Sequence, residues 1–315
     1  MIEIEHLTRR FGSVVAVDDV SFQVKAGEIV GFLGPNGAGK TTTMRMITGV
    51  LYPHGGTVRL NGRDVMEEPV AVRRDLGYLP ENTPLYDEMP VIDFLRFVGS
   101  IRGIRGASLS QRVNEMVEVC ALGNMAYKDI SELSRGYRQR VGLAQALIHD
   151  PPVLIMDEPT AGLDPTQIVE IRKLIRDIGK EKAILFSTHI LDEAQKTSDR
   201  IVVISKGRIA AEGDPETLMR QASGRDSYEV EFSGNLAALK AKLAPVLDVT
   251  SEREMGDGWM HISLAGKTGE DASADIFDAT VADGGRLRRL QKQEATLEDV
   301  FLELTRGANE EEAQA

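Results

Sequence analysis

The stretch "GPNGAGKT", residues 34–41, decides how this sequence folds. It follows the short apolar run "IVGFL", which is typical of a buried strand, and precedes "KTTTMRMITGV", which has helical spacing. The stretch fits the pattern G-x-x-x-x-G-K-[ST], in which glycines let main-chain N–H groups converge on phosphate oxygens at a helix N-terminus. Strand, loop and helix in this order predict a phosphate-binding loop.

Two residues of this loop have chemical roles of their own. Lys40 is expected to reach the β- and γ-phosphates of a nucleotide, and the Thr41 hydroxyl is expected to ligate Mg²⁺. The alternative, a glycine-rich turn without a ligand, is disfavoured by the strand on one side and the helix on the other. The predicted nucleotide-binding residues of the loop are Gly34, Pro35, Asn36, Gly37, Ala38, Gly39, Lys40, Thr41 and Thr42.

A second candidate site element is the acidic pair in "VLIMDE", where two carboxylates follow a buried apolar strand. Asp157 is expected to hold the metal ion, directly or through water, and Glu158 to orient or deprotonate the attacking water. Alone, such a pair is more often a turn or a helix cap. Together with the phosphate-binding loop it favours phosphoryl transfer, which requires positioning and charge compensation more than a nucleophilic side chain.

The pattern around these motifs predicts an α/β core. Up to about Glu81, strand-like runs alternate with glycine-containing turns, and from about Pro90 to Asp150 three runs have helical period. Beyond them "PVLIMD" and "KAILFST" are typical of buried parallel strands, with the helical "TQIVEIRKLIRDI" between them, which implies right-handed crossovers. The run "RIVVISKGRIAAEG", with Lys206-Gly207 at its turn, predicts a hairpin.

These patterns divide the chain into domains. The first domain is expected to span 1–220, with a helical subdomain at about 85–150. Small and polar residues in "QASGRDS" suggest a linker. From 226 to 306 the order β, α, β, β, α, β, α predicts a small α+β accessory domain with a split βαβ plan. The acidic segment 307–315 is expected to be disordered.

Composition limits the classes of function. The net charge is −12, so the basic excess of a phosphate-backbone binder is missing and nucleic acid is not expected as a partner. The single cysteine, Cys120, excludes an internal disulfide and is expected in the core. No run approaches the roughly 18 apolar residues of a membrane span. We therefore expect a cytoplasmic protein.

Further motifs carry a resemblance to a known family. The phosphate-binding loop, "LSRGYRQR", "LIMDEPTAGLD" and "STH" occur in the order and spacing that resemble the nucleotide-binding subunit of ATP-binding-cassette (ABC) transporters. The resemblance covers roughly Met1 to Gly213. It implies an α/β P-loop NTPase fold of the ABC type, with a mixed sheet core and a helical subdomain, and it implies ATP and Mg²⁺ as the cofactors.

The resemblance also implies a composite site. Ser134 and the Gly136 backbone would contact the γ-phosphate of ATP held by the other protomer, so that two subunits close head to tail around two nucleotides. The residue types fit, because a hydroxyl and free N–H groups at a helix N-terminus form an anion site. An ordinary N-cap for the helix that follows is the alternative.

Three more positions follow from the resemblance alone. Asp164 resembles the residue that links the two active sites across the dimer. His189 resembles the γ-phosphate sensor and is expected to act in catalysis with Glu158 and Lys40. Phe11 resembles the aromatic residue that stacks on adenine, for which only a ring face is needed. Packing in the core is the alternative for Phe11.

Two motifs depart from the usual family pattern. Glu81 in "LGYLPEN" occupies the position of a glutamine that senses the metal and the attacking water; a carboxylate there can coordinate Mg²⁺ but adds negative charge near the phosphates. Arg135 and Tyr137 replace the commoner glycine and glutamine. Both changes, with the ending "EATLEDVFLELTRG", resemble a bacterial exporter branch of gliding-motility, drug-efflux and copper-processing types.

The predicted function is an ATP-hydrolysing subunit that dimerises, or pairs with another cassette, around two ATP. It would drive substrate export through a separately encoded integral-membrane permease, which would dock around Glu81 to Val98. It would lie on the cytoplasmic face of the inner membrane as a peripheral protein. Two alternatives remain: a soluble ABC-type ATPase acting on nucleic acid or ribosomes, and a non-hydrolysing regulatory cassette.

Overall fold

The computed structural model describes residues 1–218, 227–267, 271–282 and 284–293. The chain divides into two compact units, Met1–Asp214 and Pro215–Ala315. In these described parts, every helix is too short or too polar to cross a bilayer.

The first unit combines two sheets and a group of helices. Two short 3₁₀ turns, Gly123–Met125 and Ile130–Glu132, interrupt the helical region. In chain order its elements are β1 (Ile2–Phe11), β2 (Val14–Val24), β3 (Ile29–Leu33), α1 (Lys40–Ile47), β4 (Gly55–Leu60), β5 (Arg63–Asp64), α2 (Pro69–Asp75), β6 (Leu76–Leu79), α3 (Val91–Ile101), α4 (Gly106–Val119), α5 (Arg135–Leu147), β7 (Val153–Asp157), α6 (Pro165–Gly179), β8 (Ala183–Thr188), α7 (Leu191–Thr197), β9 (Arg200–Ser205) and β10 (Arg208–Gly213).

The central sheet of the first unit has the strand order β10-β9-β3-β8-β7-β6. Its strands run parallel except β10, which pairs antiparallel with β9 at the edge. The strands β3, β7 and β8 are buried along their whole length, as their continuous apolar runs predict. Since parallel strands end at the same edge of a sheet, the loops after β3, β7 and β8 meet there.

A second, antiparallel sheet of order β2-β1-β4-β5 belongs to the same unit. Its apolar side chains share one core with one face of the central sheet, where the rings of Phe22 and Phe32 stack 5.3 Å apart. The turn between β9 and β10 is the predicted Lys206-Gly207, and both residues have positive φ, 47° and 78°. Such a two-residue turn matches the twist of the strands it joins.

The predicted helical block is present as α3, α4 and α5, which share a second core with the other face of the central sheet. Arg112 of α4 completes the end of α5: its Nε donates to the Ile148 carbonyl at 2.9 Å and its Nη2 to the Leu147 carbonyl at 2.8 Å. These bonds satisfy carbonyls that have no partner within their own helix. Cys120 is buried in this core, as expected.

We predict that His149, just after α5, makes the protein acid-sensitive. Burial and the nearby Arg102 charge lower the pKa of His149 from 6.5 to about 4, while its Nε2 contacts the Leu76 carbonyl at 3.0 Å. The unfolded chain binds this proton more readily than the folded chain. His149 therefore leaves the free energy of unfolding unchanged above pH 6.5 and lowers it as the pH drops towards 4. Urea unfolding of wild type and His149→Gln at several pH values measures the effect.

The glutamine variant keeps an amide donor for the Leu76 carbonyl but has no proton to bind in this range. We therefore expect a flatter loss of stability between pH 6.5 and 4 for the variant than for wild type. Equal slopes would show that other groups, such as carboxylates, account for the acid sensitivity.

From residue 227 to residue 293, the described part of the second unit contains a four-stranded antiparallel sheet of strand order β12-β13-β11-β14 and two helices. The helices share one core with the sheet, which contains Tyr228, Phe232 and Ile276. This order of elements reproduces the predicted β, α, β, β, α, β plan. The elements are β11 (Ser227–Ser233), α8 (Leu236–Leu243), β12 (Leu247–Gly256), β13 (Trp259–Gly266), α9 (Ser273–Val281) and β14 (Arg286–Gln293).

The fold class is confirmed: a mixed α/β core with a helical subdomain and a small α+β C-terminal domain. Nearly all of the predicted linker, the predicted last helix and the acidic segment 307–315 lie outside the described residues. The domain limits at 220, 226 and 306 therefore stay predictions.

Candidate functional site

The phosphate-binding loop lies between β3 and α1, as predicted. Gly39 directly before α1 has φ 107°, and a Cβ atom on it would lie 2.4 Å from the Ala16 carbonyl oxygen. Only glycine fits this conformation and this close approach. The first N–H groups of α1 have no partner within the helix, so they are available to phosphate oxygens.

Lys40 has a fixed, nearly buried side chain. Its Nζ donates to the carbonyl oxygens of Gly34, at 2.8 Å, and Pro35, at 3.1 Å. The same Nζ lies 3.3 Å from Glu158 Oε1, and both side chains are at most 10% exposed. The sequence did not predict this ion pair, which connects the phosphate-binding loop to the end of β7.

Asp157 is buried at the end of β7 and lies directly beside the loop. Its Oδ1 accepts a hydrogen bond from Thr41 Oγ1 at 3.3 Å and from Ser187 Oγ at 2.6 Å. Ser187 Oγ also accepts the Glu158 backbone N–H at 3.0 Å. The sequence analysis singled out "STH" but did not assign a role to Ser187. The signal that could have found it is a hydroxyl near the end of β8, the strand that pairs with β7.

Glu158 and His189 form a second contact at this edge. His189 Nδ1 lies 2.8 Å from Glu158 Oε2, so Oε1 of Glu158 faces the Lys40 ammonium and Oε2 faces the His189 ring. Glu158 adopts φ 49°, a backbone conformation that is costly for a residue with a side chain. Such strain persists where the surrounding structure imposes it, and it is frequent at functional sites.

An open cleft of about 260 Å³ lies among the loops after β3, β6, β7 and β8. It brings together most of the predicted loop residues with Glu81, Glu158 and His189. Two alanines, Ala16 and Ala161, line it as well and were not predicted. The full lining is Ala16, Asn36, Gly37, Gly39, Lys40, Thr41, Thr42, Glu81, Glu158, Ala161 and His189.

Eight predicted site residues do not line this cleft: Phe11, Gly34, Pro35, Ala38, Ser134, Gly136, Asp157 and Asp164. Phe11 is 47% exposed, so packing in the core is the wrong alternative for it. The Arg9 guanidinium lies 4.8 Å from the centre of its ring. The ring can therefore take part in cation–π contact on one face.

The segment "LSRGY" stands at the start of α5. Ser134 occupies the N-cap position, with φ −61° and ψ 159°, but its side chain makes no capping hydrogen bond. The Ser134 hydroxyl therefore does not cap α5, which was the alternative to a role in binding phosphate. A Cβ atom on Gly136 would lie 2.5 Å from the end of the Gln167 side chain, so a larger residue there would displace that side chain. Tyr137 packs against the helical core.

Asp164 has a local role within the chain. It is the N-cap of α6, and its Oδ1 accepts the Gln167 backbone N–H at 2.9 Å. This bond satisfies one of the free donors at the start of the helix. The predicted role of Asp164 between two active sites concerns a second copy of the chain and stays a prediction.

Strand order and loop position together define the class of P-loop NTPases, because the phosphate-binding loop and the acidic pair lie at one edge of a parallel sheet. Within this class, residues 17–161 match the ABC transporter family, and residues 213–305 match the C-terminal domain of DrrA1-3-like ATP-binding proteins. The chain belongs to the ATP-binding subunits of ABC transporters, as its relatives also show.

One relative, the Nod factor export ATP-binding protein I of Paraburkholderia xenovorans, is 36% identical over 310 residues, covering 96% of both chains. The uncharacterized ABC transporter ATP-binding protein YxlF of Bacillus subtilis is 41% identical over 221 residues, 70% of this chain and 73% of its own. The probable multidrug ABC transporter ATP-binding protein YbhF of Escherichia coli is 38% identical over 224 residues, 71% of this chain and 39% of its own.

Solved structures agree with this assignment. The ATP-binding subunit of an ABC transporter superposes with a TM-score of 0.64 at 32% identity, covering 70% of this chain and 92% of its own. A dimeric, post-hydrolysis structure of the ATP-binding cassette MJ0796 with ADP and Pi superposes with a TM-score of 0.62 at 25% identity, covering 68% of this chain and 98% of its own. The predicted family and fold are therefore confirmed.

Proposed function

We propose that this chain hydrolyses Mg²⁺-ATP as a head-to-tail homodimer and drives export through a separately encoded membrane permease. The observation that carries the proposal is the convergence of Lys40, Asp157, Glu158 and His189 on the phosphate-binding loop. A non-hydrolysing cassette does not need this full set of groups. Each role below is part of the proposal.

The loop and Lys40 bind the triphosphate. The N–H groups at the start of α1 donate hydrogen bonds to phosphate oxygens, and Pro35, Asn36, Ala38 and Thr42 complete the contacting residues. The Lys40 ammonium already lies in the cleft, held by two loop carbonyls and by Glu158. When phosphate oxygens replace the Glu158 carboxylate beside Lys40, that carboxylate becomes free to act on water. The ion pair therefore keeps the base occupied until nucleotide binds.

The residues beside the loop fit a Mg²⁺ ion. Hard divalent cations prefer oxygen ligands, and Thr41 Oγ1 and Asp157 Oδ1 lie only 3.3 Å apart. Thr41 and Asp157 would hold the ion, and Glu81, which lines the same cleft, adds a further carboxylate. Bound Mg²⁺ would neutralise charge that develops on the phosphates.

Glu158 and His189 bind the attacking water and the γ-phosphate. The Glu158 carboxylate orients the water and accepts its proton, and the His189 imidazole fixes that carboxylate and contacts the γ-phosphate. The 2.8 Å separation of His189 Nδ1 and Glu158 Oε2 supports this pairing. The buried Ser187 hydroxyl donates to the Asp157 carboxylate and accepts the Glu158 backbone N–H, so it positions both residues at the loop.

A second protomer completes the site. The Ser134 hydroxyl and the Gly136 N–H bind the γ-phosphate of the partner's ATP, and Asp164 links the two sites. The unused Ser134 hydroxyl supports this role, since nothing in its own helix takes it. Phe11 stacks on adenine, with Arg9 beside its ring. The dimeric cassette with ADP and Pi supports the arrangement by similarity.

The transport step requires a membrane partner at the cytoplasmic face of the inner membrane. The relatives named for Nod factor export and multidrug transport support export as the direction. The segment from Glu81 to Val98 offers a docking surface for a permease helix. Tyr86 and Phe97 are 58% and 40% exposed there, with their rings 5.6 Å apart. Exposed aromatic pairs of this kind favour protein contacts.

A complementation assay tests the composite site. Ser134→Arg removes the hydroxyl that acts on the partner's ATP, so we expect at least about a tenfold loss of ATP turnover. Glu158→Gln removes the base. A mixture of the two inactive variants re-forms one complete site in each mixed dimer, with Glu158 from one protomer and Ser134 from the other, and turnover should return.

The readout is phosphate release by the purified variants, alone and mixed. Recovery on mixing would not occur if Ser134 acted on the ATP of its own chain. Without recovery, and with wild type unable to hydrolyse ATP even beside a candidate permease, the proposed function would be wrong.

A further inference from the structure

Two opposite charges at the candidate site have no partner in the described part of the chain. Glu81 lines the nucleotide cleft, and Arg135 stands at the first position of α5, next to the free Ser134 hydroxyl. Both side chains are exposed. No ion pair or side-chain hydrogen bond of either residue occurs among the described residues. They are two of the three positions at which the site motifs depart from the usual family pattern, the third being Tyr137.

Arg135 has a defined position despite its exposure. Its guanidinium group lies against Gly162, where a Cβ atom would meet Arg135 Cζ at 2.4 Å and Nη1 at 2.5 Å. Gly162 has φ 70° and belongs to the loop between Glu158 and the Asp164 cap of α6. The cation therefore lies on the surface that also carries Ser134.

We propose that Arg135 of each protomer pairs with Glu81 of the partner protomer when the ATP dimer closes. The inference rests on the proposed head-to-tail homodimer, in which the Ser134 surface of one chain covers the cleft of the other. Arg135 is then a positioning residue that acts through Glu81, and the site gains a charge pair that neither protomer can form alone.

The electrostatic reason is the charge of the cleft. Mg²⁺ would offset only part of the triphosphate charge, so a carboxylate at position 81 adds negative charge to a site that is still negative, and this repulsion opposes closure. A guanidinium group brought in from the partner compensates the carboxylate and can bind it with two parallel hydrogen bonds. Closure with ATP thus buries both charges as a pair, while the open protomer leaves both in water at little cost.

A double-mutant cycle on the ATP dimer tests the Glu81–Arg135 pair. In the Glu158→Gln background, the dissociation constant of the dimer with ATP is measured by analytical ultracentrifugation for Glu81→Gln, Arg135→Gln and the double variant. We expect Arg135→Gln alone to weaken the dimer by about tenfold or more, because Glu81 is left unpaired beside the phosphates. The double variant should recover to within about threefold of the background protein.

The full charge swap gives a sharper form of the same test. Glu81→Arg and Arg135→Glu should each abolish the ATP dimer, and the two together should restore it. Arg105→Gln removes an exposed arginine at the start of α4 and serves as the charge-matched control, with no expected effect. Should the swap fail to fold, Glu81→Cys and Arg135→Cys in one chain replace it, and an ATP-dependent disulfide-linked dimer is expected. The native Cys120 is buried and does not compete for the cross-link.

The outcomes separate the two proposals. Additive effects in the cycle, or a missing cross-link, in a protein that still forms an ATP dimer would overturn the Glu81–Arg135 pair and leave the composite site intact. Additive effects would mean that Arg135 acts on the dimer independently of Glu81. Failure of the Glu158→Gln protein itself to dimerise with ATP would overturn the proposed homodimer and the pair with it.

Discussion

The Glu158→Gln variant should lose about a hundredfold or more of its ATP turnover while retaining ATP binding. The amide has nearly the same shape as the carboxylate but cannot accept a proton from water. It also removes a negative charge 3.3 Å from Lys40 Nζ, so the lysine becomes fully available to phosphate oxygens. Bound ATP should therefore accumulate unhydrolysed, and the dimer that it closes should persist.

Two measurements check this expectation: kcat from steady-state phosphate release, and the dimer fraction with ATP by light scattering. Glu181→Gln is the matched control, because Glu181 is an exposed glutamate just after α6, far along the chain from the acidic pair. A variant that keeps its turnover within about tenfold of wild type would contradict the base assignment. An unchanged kcat with a higher KM would indicate a role in binding only.

Lys40→Ala should reduce ATP affinity by about a hundredfold or more, because the ammonium is the one cation among the cleft-lining residues described. The same substitution should destabilise the protein. Lys40 and Glu158 are both nearly buried, and removing one partner leaves the other charge uncompensated at a cost of about 3 kcal/mol. His189 remains beside Glu158 and limits that cost.

Isothermal titration with ATP and urea unfolding measure the two effects separately. The Lys40→Ala/Glu158→Gln double variant should regain part of the stability, since the uncompensated carboxylate is gone, but none of the ATP affinity. Lys180→Ala, which removes a lysine that is largely exposed, is the matched control for both readouts. Unaltered ATP binding by Lys40→Ala would refute the phosphate-binding role.

The sequence predicted most of the fold because its signals are local. A continuous apolar run predicts a buried strand, helical spacing predicts an amphipathic helix, and Lys206-Gly207 between two apolar runs predicts a turn. Each of these patterns spans fewer than about twenty residues, and each was confirmed in the first unit. The same reasoning recovered the element order of the second unit without any motif to guide it.

The contacts within the site were not predictable in the same way. Thr41 and Asp157 are separated by 116 positions, and Ser187 reaches Asp157 across 30. Such contacts depend on the pairing of β7 with β8 and on the packing of α1 against the sheet, so no local pattern reports them. The Lys40–Glu158 ion pair and the role of Ser187 were therefore missed, although all four motifs were recognised.

The sequence by itself determined the fold class, the phosphate-binding loop and the family, because these depend on residue types at fixed short spacings. Only the tertiary structure decided which groups meet: Lys40 with Glu158, Glu158 with His189, and Asp157 with Ser187. It also decided that the Ser134 hydroxyl stays unused in its own helix. The physical reason is that strand order and register, which are non-local, bring the ends of distant segments to one edge of the sheet.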